Sequence, residues 1–265
     1  MSDSTKYTSK LHGKRILIIG GSAGIGYAVA EASLEHGAHV TISSSQPSRI
    51  DRAITSLLHS YPSAKSRLQG HPADMATSPT LESNIVSLLD FATEKNTKKL
   101  DHIVWTAGDA LAVMPLSDLT VEKVTQAGMV RFFGPVMLGK HAGTYLNPGP
   151  ESGIVLTTGS VSERPIPGWA APGGFATALH GLNRGLALDL KPVRCNLVSP
   201  GAVDTELWAG MSGEERRRRF EYFGEKSTTG RVGRVEDVAE AYLYLMRDQN
   251  VTGSLVSTNA GALLV

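Results

Sequence analysis

Lys14-Arg15-Ile16-Leu17-Ile18-Ile19-Gly20-Gly21-Ser22-Ala23-Gly24-Ile25-Gly26-Tyr27-Ala28-Val29-Ala30 is the stretch that decides the fold. Ile16 to Ile19 form a short apolar run, the pattern of a strand buried on both faces. A glycine cluster follows, then a helical pattern with apolar or small residues at Ile25, Val29, Ala32 and Ser33. The order is strand, tight turn, helix. Glycine in such a turn lets a phosphate approach the backbone where a Cβ would block it. A helix starting near Ile25 offers that phosphate its unpaired N–H groups and the positive end of its dipole. An ordinary Gly-rich βα turn would look the same in isolation. The early position of the stretch and the alternation that follows it favour a phosphate cradle.

Working outward, strands are expected at 39–43, 67–71, 101–105, 153–157, 193–198 and 254–258. Helices are expected at 52–60 (Ile54, Leu57 and Leu58 inward), 81–93 (Ile85, Leu88, Leu89 and Phe91 apolar), 121–146, 175–190 and 235–246. Strand and helix alternate throughout. The fold class is therefore α/β: a single doubly wound Rossmann domain over 1–265, with a central parallel sheet of about seven strands and helices on both faces. Residues 205–229 are charged and irregular, consistent with a substrate lid. Ligands bind such sheets at the carboxyl ends of the strands. Thr106-Ala107-Gly108, Thr158-Gly159-Ser160 and Ser199-Pro200-Gly201 all fall there.

The end of the second strand bears on the nucleotide. A carboxylate usually grips the ribose 2′-hydroxyl of NAD at this place. Here stand Ser43-Ser44-Ser45, with Arg49 nearby. Three hydroxyls and a guanidinium suit a 2′-phosphate, which favours NADP(H); a plain polar loop is the other reading. Asp74, after the third strand, suits either the adenine edge or a turn cap.

Composition narrows the class. The chain has 265 residues, 41% hydrophobic and 19% charged, with formal net charge +1. Near-neutral charge gives no argument for nucleic acid or a membrane surface. The basic block Arg216 to Arg219 follows Glu214-Glu215 and reads as a solvated helix face. Cys195 is the single cysteine, so no intrachain disulfide forms, and its apolar surroundings suggest packing. The first twelve residues are polar and lack the apolar core of a signal peptide. No apolar run reaches the ~18 residues of a membrane span. A cytoplasmic protein is expected, and no histidine has metal-ligand spacing.

Taken together, Gly20-Gly21-Ser22-Ala23-Gly24-Ile25-Gly26, Asp74, Thr106-Ala107-Gly108, Arg184-Gly185-Leu186-Ala187-Leu188, the run 196–205 and the run 231–239 resemble the classical short-chain dehydrogenase/reductases over essentially the whole chain. By that resemblance the dinucleotide site comprises Gly20, Ser22, Gly24, Ile25, Gly26, Ser43, Ser44, Ser45, Asp74, Ala107, Gly108, Pro200, Gly201, Val203 and Thr205. Pro200-Gly201 would lie against the nicotinamide, and Val203 and Thr205 would hold its carboxamide. The resemblance also implies a homotetramer through the long helices.

The family's chemistry uses an Asn, a Ser and a Tyr-x-x-x-Lys set, in which the Tyr protonates the alkoxide as hydride arrives. Here the Tyr position is Pro172, the Lys position Ala176 and the Asn position Arg131; Ser160 alone is in register. A ketone cannot be reduced without protonating the alkoxide. An iminium needs no acid, because hydride addition gives a neutral amine. A pericyclic reaction needs only a pocket that holds its ends together. Pro165-Ile166-Pro167-Gly168-Trp169, with Arg131 and the missing Tyr and Lys, resembles the fungal reductase/Diels–Alderases of malbrancheamide and paraherquamide biosynthesis, whose motif reads Pro-Asp-Pro-Gly-Trp. That resemblance implies an NADPH-dependent iminium reductase and/or intramolecular Diels–Alderase. Its substrate would be a prenylated indole alkaloid precursor, and its product the bicyclic diazaoctane core. Ile166 replaces the motif's Asp.

The expected reaction residues are Arg131, Trp169, Ser160 and Ile166. Arg131 would hold a substrate carbonyl or oxyanion, or else form a surface or cofactor-facing salt bridge. Trp169 would stack on an indole or cationic ring, or else pack on the core. Ile166 would be an apolar wall, and Ser160 would position a carbonyl. Pro172-Gly173-Gly174 would leave room for a bulky substrate, or else make a plain loop and helix start. Trp208, Met211 and Phe220 would cover the substrate or meet a neighbouring subunit. Two other functions fit the residues: a catalytically silent NADP(H)-binding relative, and a carbonyl reductase whose acid has moved to Tyr145 or Tyr222.

Overall fold

The computed structural model describes residues 4–265. Its centre is β1 (Arg15–Ile19), which pairs in parallel with β2 (His39–Ser44) on one side and β4 (His102–Trp105) on the other. β3 (Leu68–Pro72), β5 (Gly153–Thr157), β6 (Arg194–Pro200) and β7 (Leu255–Thr258) complete a parallel sheet of order β3-β2-β1-β4-β5-β6-β7. The strand order reverses between β1 and β4, which opens a crevice at their carboxyl ends.

Period-two alternation sends successive side chains of each strand into different layers. Ile16 and Ile18 of β1 enter a core with α1 (Gly24–Glu35), α2 (Pro47–Ser60) and α8 (Val235–Arg247). Leu17 and Ile19 enter the opposite core, with α3 (Leu81–Ala92), α5 (Gly134–Tyr145) and α6 (Ala170–Asp189). Cys195 is fully buried in this second layer, where burial pushes its thiol up to about 12.

Four expectations need correction. First, 121–146 is not one α-helix: α4 (Val121–Gly128) and α5 are joined by a π turn, Met129–Phe133. Pro135 explains the break, since it lacks an N–H and its ring crowds the carbonyl four residues back. Second, α6 begins at Ala170, so Pro172-Gly173-Gly174 lie in its first turns; proline costs no helix bond there because first-turn N–H groups have no partner. Third, α2 starts at Pro47 rather than at residue 52 and adds Ile50 and Ala53 to the core, where Leu57 is buried and Ile54 and Leu58 pack partly buried, as expected; Phe91 is 37% exposed and stacks on His71 with ring centroids 4.5 Å apart. Fourth, 205–229 is largely helical: α7 (Gly213–Glu225) opens with a capping box in which the Ser212 N–H donates to Glu215 at 2.9 Å. The arginines of α7 form ion pairs, Arg216 with Asp204, Arg217 with Glu221 and Arg218 with Glu214, as expected of a solvated face.

The amino end of the sheet holds a buried basic pair. Arg194, 3% exposed, donates to the carbonyls of Pro150, Leu245, Val251 and Met246. Two of these lie in the last turn of α8, where a cation opposes the helix dipole. His102 is buried beside it; burial first, and then the Arg194 charge, lower its pKa to about 3. The folded protein thus refuses a proton that the unfolded chain accepts below about pH 6.5. Stability is therefore predicted to fall as pH drops from 6.5 towards 3, with this residue contributing up to about 1.4 kcal/mol per pH unit. Urea denaturation across that range should show a shallower pH slope in His102→Gln; an unchanged slope would contradict the assignment.

Candidate active site

The glycine turn after β1 is built by close backbone approach. The N–H groups of Gly20 and Gly21 both donate to the Ser43 carbonyl, at 3.0 and 3.1 Å, so β2 anchors the turn. Gly20 has φ +93°, and a Cβ there would lie 2.5 Å from the backbone nitrogen of Ala107. A Cβ on Gly26 would collide with the Gly20 carbonyl and the Thr106 hydroxyl. That hydroxyl donates to the Ile19 carbonyl at 3.2 Å and ties the β4 loop to the turn. α1 then starts with no side-chain cap at Ala23 and no acid in its first turn. Its free N–H groups and positive dipole end therefore face the crevice, as an anionic ligand requires. Ser22, Gly24 and Ile25 lie on this rim. The donor set fits a dinucleotide pyrophosphate.

At the end of β2, Ser43 is 1% exposed and its hydroxyl is buried without a partner, Ser44 is half-buried, and Ser45 and Arg49 are exposed. Asp74 caps its own turn: its carboxylate accepts from the Ala76 N–H and the Thr77 hydroxyl, each at 3.0 Å. Of the two roles open to it in the sequence, the structure shows the cap.

Across the crevice, the π turn presents Arg131 to the β4 loop. Its Nε lies 3.2 Å from the Asp109 carboxylate, and its Nη2 donates to the Asp109 carbonyl. A Cβ on Gly108 would stand 2.9 Å from both Nη atoms and 3.0 Å from Cζ, so the guanidinium plane lies across that glycine. Burial lowers the Arg131 pKa, and the charge and hydrogen bond of Asp109 oppose the shift. A guanidinium keeps its proton in such a site. The salt bridge read as the alternative for Arg131 is therefore present, and its partner, Asp109, escaped the sequence reading. The only sequence signal was a carboxylate directly after Thr106-Ala107-Gly108.

The other expected residues come from two neighbouring segments. Ser160 opens a short turn after β5, where its carbonyl accepts from Glu163 and Arg164 at 3.1 and 2.9 Å. Ile166 is 43% exposed; its carbonyl accepts from Trp169, and Gly168 accepts from Met114 at 3.2 Å. The β4 loop thus holds Arg131 at one end and the Ile166–Trp169 turn at the other. At the family's Tyr and Lys positions stand Pro172, which is buried, and Ala176, whose carbonyl accepts from Thr158 Oγ1 at 2.7 Å.

The loop after β6 closes the crevice. Pro200 is buried, and a Cβ on Gly201 would lie 2.9 Å from Asn259. Val203 is 6% exposed, and its carbonyl accepts from the Trp208 indole at 2.8 Å. The Thr205 methyl approaches Gly24, to 3.2 Å from where its Cβ would be. Trp208 packs on Phe220 and Phe223 of α7, at 6.1 and 5.7 Å. Of the two candidates for a relocated acid, Tyr145 is held away from the crevice. Tyr145 donates to Asp90 at 2.9 Å, and its carbonyl accepts from Leu100, just before β4, at the amino end of the sheet. Tyr222 is 54% exposed on α7. Among the described residues no group of three His, Cys, Asp or Glu side chains could hold a metal, and no helix is long and apolar enough to cross a membrane.

Residues 7–265 match the family model of the SDR-like Rossmann domain. The chain is 42% identical over 272 residues to the short-chain dehydrogenase/reductase fsr5 of Gibberella fujikuroi, covering all of both chains. It is 40% identical, again over the whole of both, to the short-chain dehydrogenase/reductase malC of Malbranchea aurantiaca. The solved structure of that protein, the MalC reductase/Diels–Alderase, superposes with a TM-score of 0.92 over 98% of this chain and 100% of MalC. A short-chain dehydrogenase from Burkholderia cenocepacia in complex with NADP, 25% identical, superposes at 0.82 over 96% and 99%. The cradle, the strand order and these likenesses agree: the chain belongs to the short-chain dehydrogenase/reductase family and is an oxidoreductase-type enzyme.

Proposed function

We propose that this protein uses NADPH to reduce a cyclic iminium and/or guides an intramolecular Diels–Alder closure, forming the bicyclic diazaoctane core of a prenylated indole alkaloid. The observation that carries the reading is the contrast at the crevice. The glycine turn, the β4 loop and the β6 loop are built for a dinucleotide, while Pro172 and Ala176 occupy the positions of the proton donor and its lysine. The likeness to the MalC reductase/Diels–Alderase supports it.

Pro200 and Gly201 would border the nicotinamide of NADP(H), which when bound would supply hydride. Ser44, Ser45 and Arg49 would take its 2′-phosphate. The protein's own part is to bind and orient. Arg131, held by Asp109, donates to a substrate carbonyl, and Ser160 donates to another. Trp169 offers an indole face for stacking, and Ile166 an apolar wall where a carboxylate is absent. Orientation of the diene and dienophile alone lowers a cycloaddition barrier by several kcal/mol. The lid around Trp208 limits water. We also infer a homotetramer through α5 and α6, where Leu188 is 72% exposed and Gly181 and Gly185 leave open space.

Incubation of the purified enzyme with a prenylated tryptophan–proline aldehyde or its iminium should consume NADPH and give one stereoisomer in excess. Product ratio, stereochemistry and NADPH use identical to the enzyme-free control would overturn the proposal. Ketone turnover abolished by Tyr222→Phe would point instead to a relocated acid. The cradle has its own check: Gly26→Val should weaken NADPH binding at least about tenfold in a fluorescence titration, because its side chain meets backbone that cannot yield.

A further inference from the structure

We propose that Trp105 is a positioning residue for Arg131, acting through one backbone carbonyl that the π turn leaves without a helical donor. The inference rests on Arg131 being the pocket cation of the proposed function. In an α-helix the Val130 carbonyl would accept from the N–H of Gly134. Here the Gly134 N–H goes to Met129, five residues back. The next candidate in π register is residue 135, a proline, which has no N–H. The Val130 carbonyl is therefore orphaned by the chain itself. The Trp105 indole fills the vacancy: Nε1 donates to the Val130 carbonyl at 3.1 Å, with Trp105 2% exposed. Gly134 admits the ring, because a Cβ there would lie 2.5 Å from Trp105 Cζ2.

Trp105, Gly134 and Pro135 thus act as one device. Proline removes the donor, glycine opens the space, and the tryptophan at the end of β4 supplies the replacement N–H. Arg131 is the residue directly after the carbonyl so held, and its guanidinium lies on Gly108, in the loop that Trp105 itself leads into. The indole therefore fixes the π turn to the same strand whose loop receives the arginine. Loss of the N–H would leave a buried carbonyl unpaired and free the turn from β4, so that Arg131 would no longer be held in one place over Gly108.

Trp105→Phe keeps an aromatic ring against Gly134 and removes only the donor. It should lower kcat/KM for the iminium about tenfold or more, with NADPH affinity unchanged. The drop should vanish in an Arg131→Ala background, because the indole acts through that arginine. An equal drop in both backgrounds, or none, would overturn the proposal. If the wild-type enzyme turns over no iminium, which would fail the functional reading alone, NMR decides separately. The Arg131 Nε–H resonance, identified by its absence in Arg131→Lys, should shift strongly in Trp105→Phe; an unmoved resonance would sink the inference. Should the phenylalanine variant not fold, benzothienylalanine at position 105 replaces the N–H by sulfur in the same bicyclic shape and is read in the same way.

Discussion

Two stretches of backbone pass closer at the carboxyl ends of β1 and β4 than any side chain permits. Gly20 sits against Ala107, and Gly26 sits against Gly20 and Thr106. This contact sets the distance between the first helix and the β4 loop, and hence the width of the crevice. The Ser43 carbonyl holds the turn from the side, through two N–H groups, and the Thr106 hydroxyl holds it from below. A cradle for a dinucleotide follows, since α1 then points its uncapped end into the gap.

The second half of the site obeys a different logic. In the family, the crevice is completed by a tyrosine and a lysine from the helix after β5. In this chain that helix brings a buried proline and an alanine, and Thr158 uses the alanine's carbonyl. Charge instead enters from the other flank, on the π turn, as an arginine already paired with Asp109. Such a pair can orient a carbonyl or balance a developing charge, but it is a poor proton donor, because a guanidinium paired with a carboxylate gives up its proton at no accessible pH. The chemistry proposed above asks for no such donor: hydride delivery to an electrophile already charged, and bond formation that moves no proton.

How much of this could be read from residues alone follows from range. The parallel sheet was legible because each strand is a short apolar run and each turn carries glycine, both local signals. The glycine turn after β1 was legible for the same reason. The break in the helix before β5 was not, although Pro135 stood in plain view, because its effect depends on where a displaced carbonyl finds a new donor 25 residues earlier in the chain. Asp109 was missed because pairing it with Arg131 requires knowing which face of that broken helix meets the β4 loop. Residues 205–229 seemed irregular because their charges hide helical spacing; the Ser212–Glu215 capping box was the local signal available.

The central claim is that hydride transfer here is not coupled to a proton from the protein. The most direct measurement is single-turnover reduction of a permanently charged iminium with 4-deuterated NADPH, in H2O and in D2O, across pH 6 to 9. The account predicts a primary deuterium isotope effect, no solvent isotope effect and a flat pH profile. A solvent isotope effect on the hydride step, or a rate that falls with the ionisation of one acid, would contradict it.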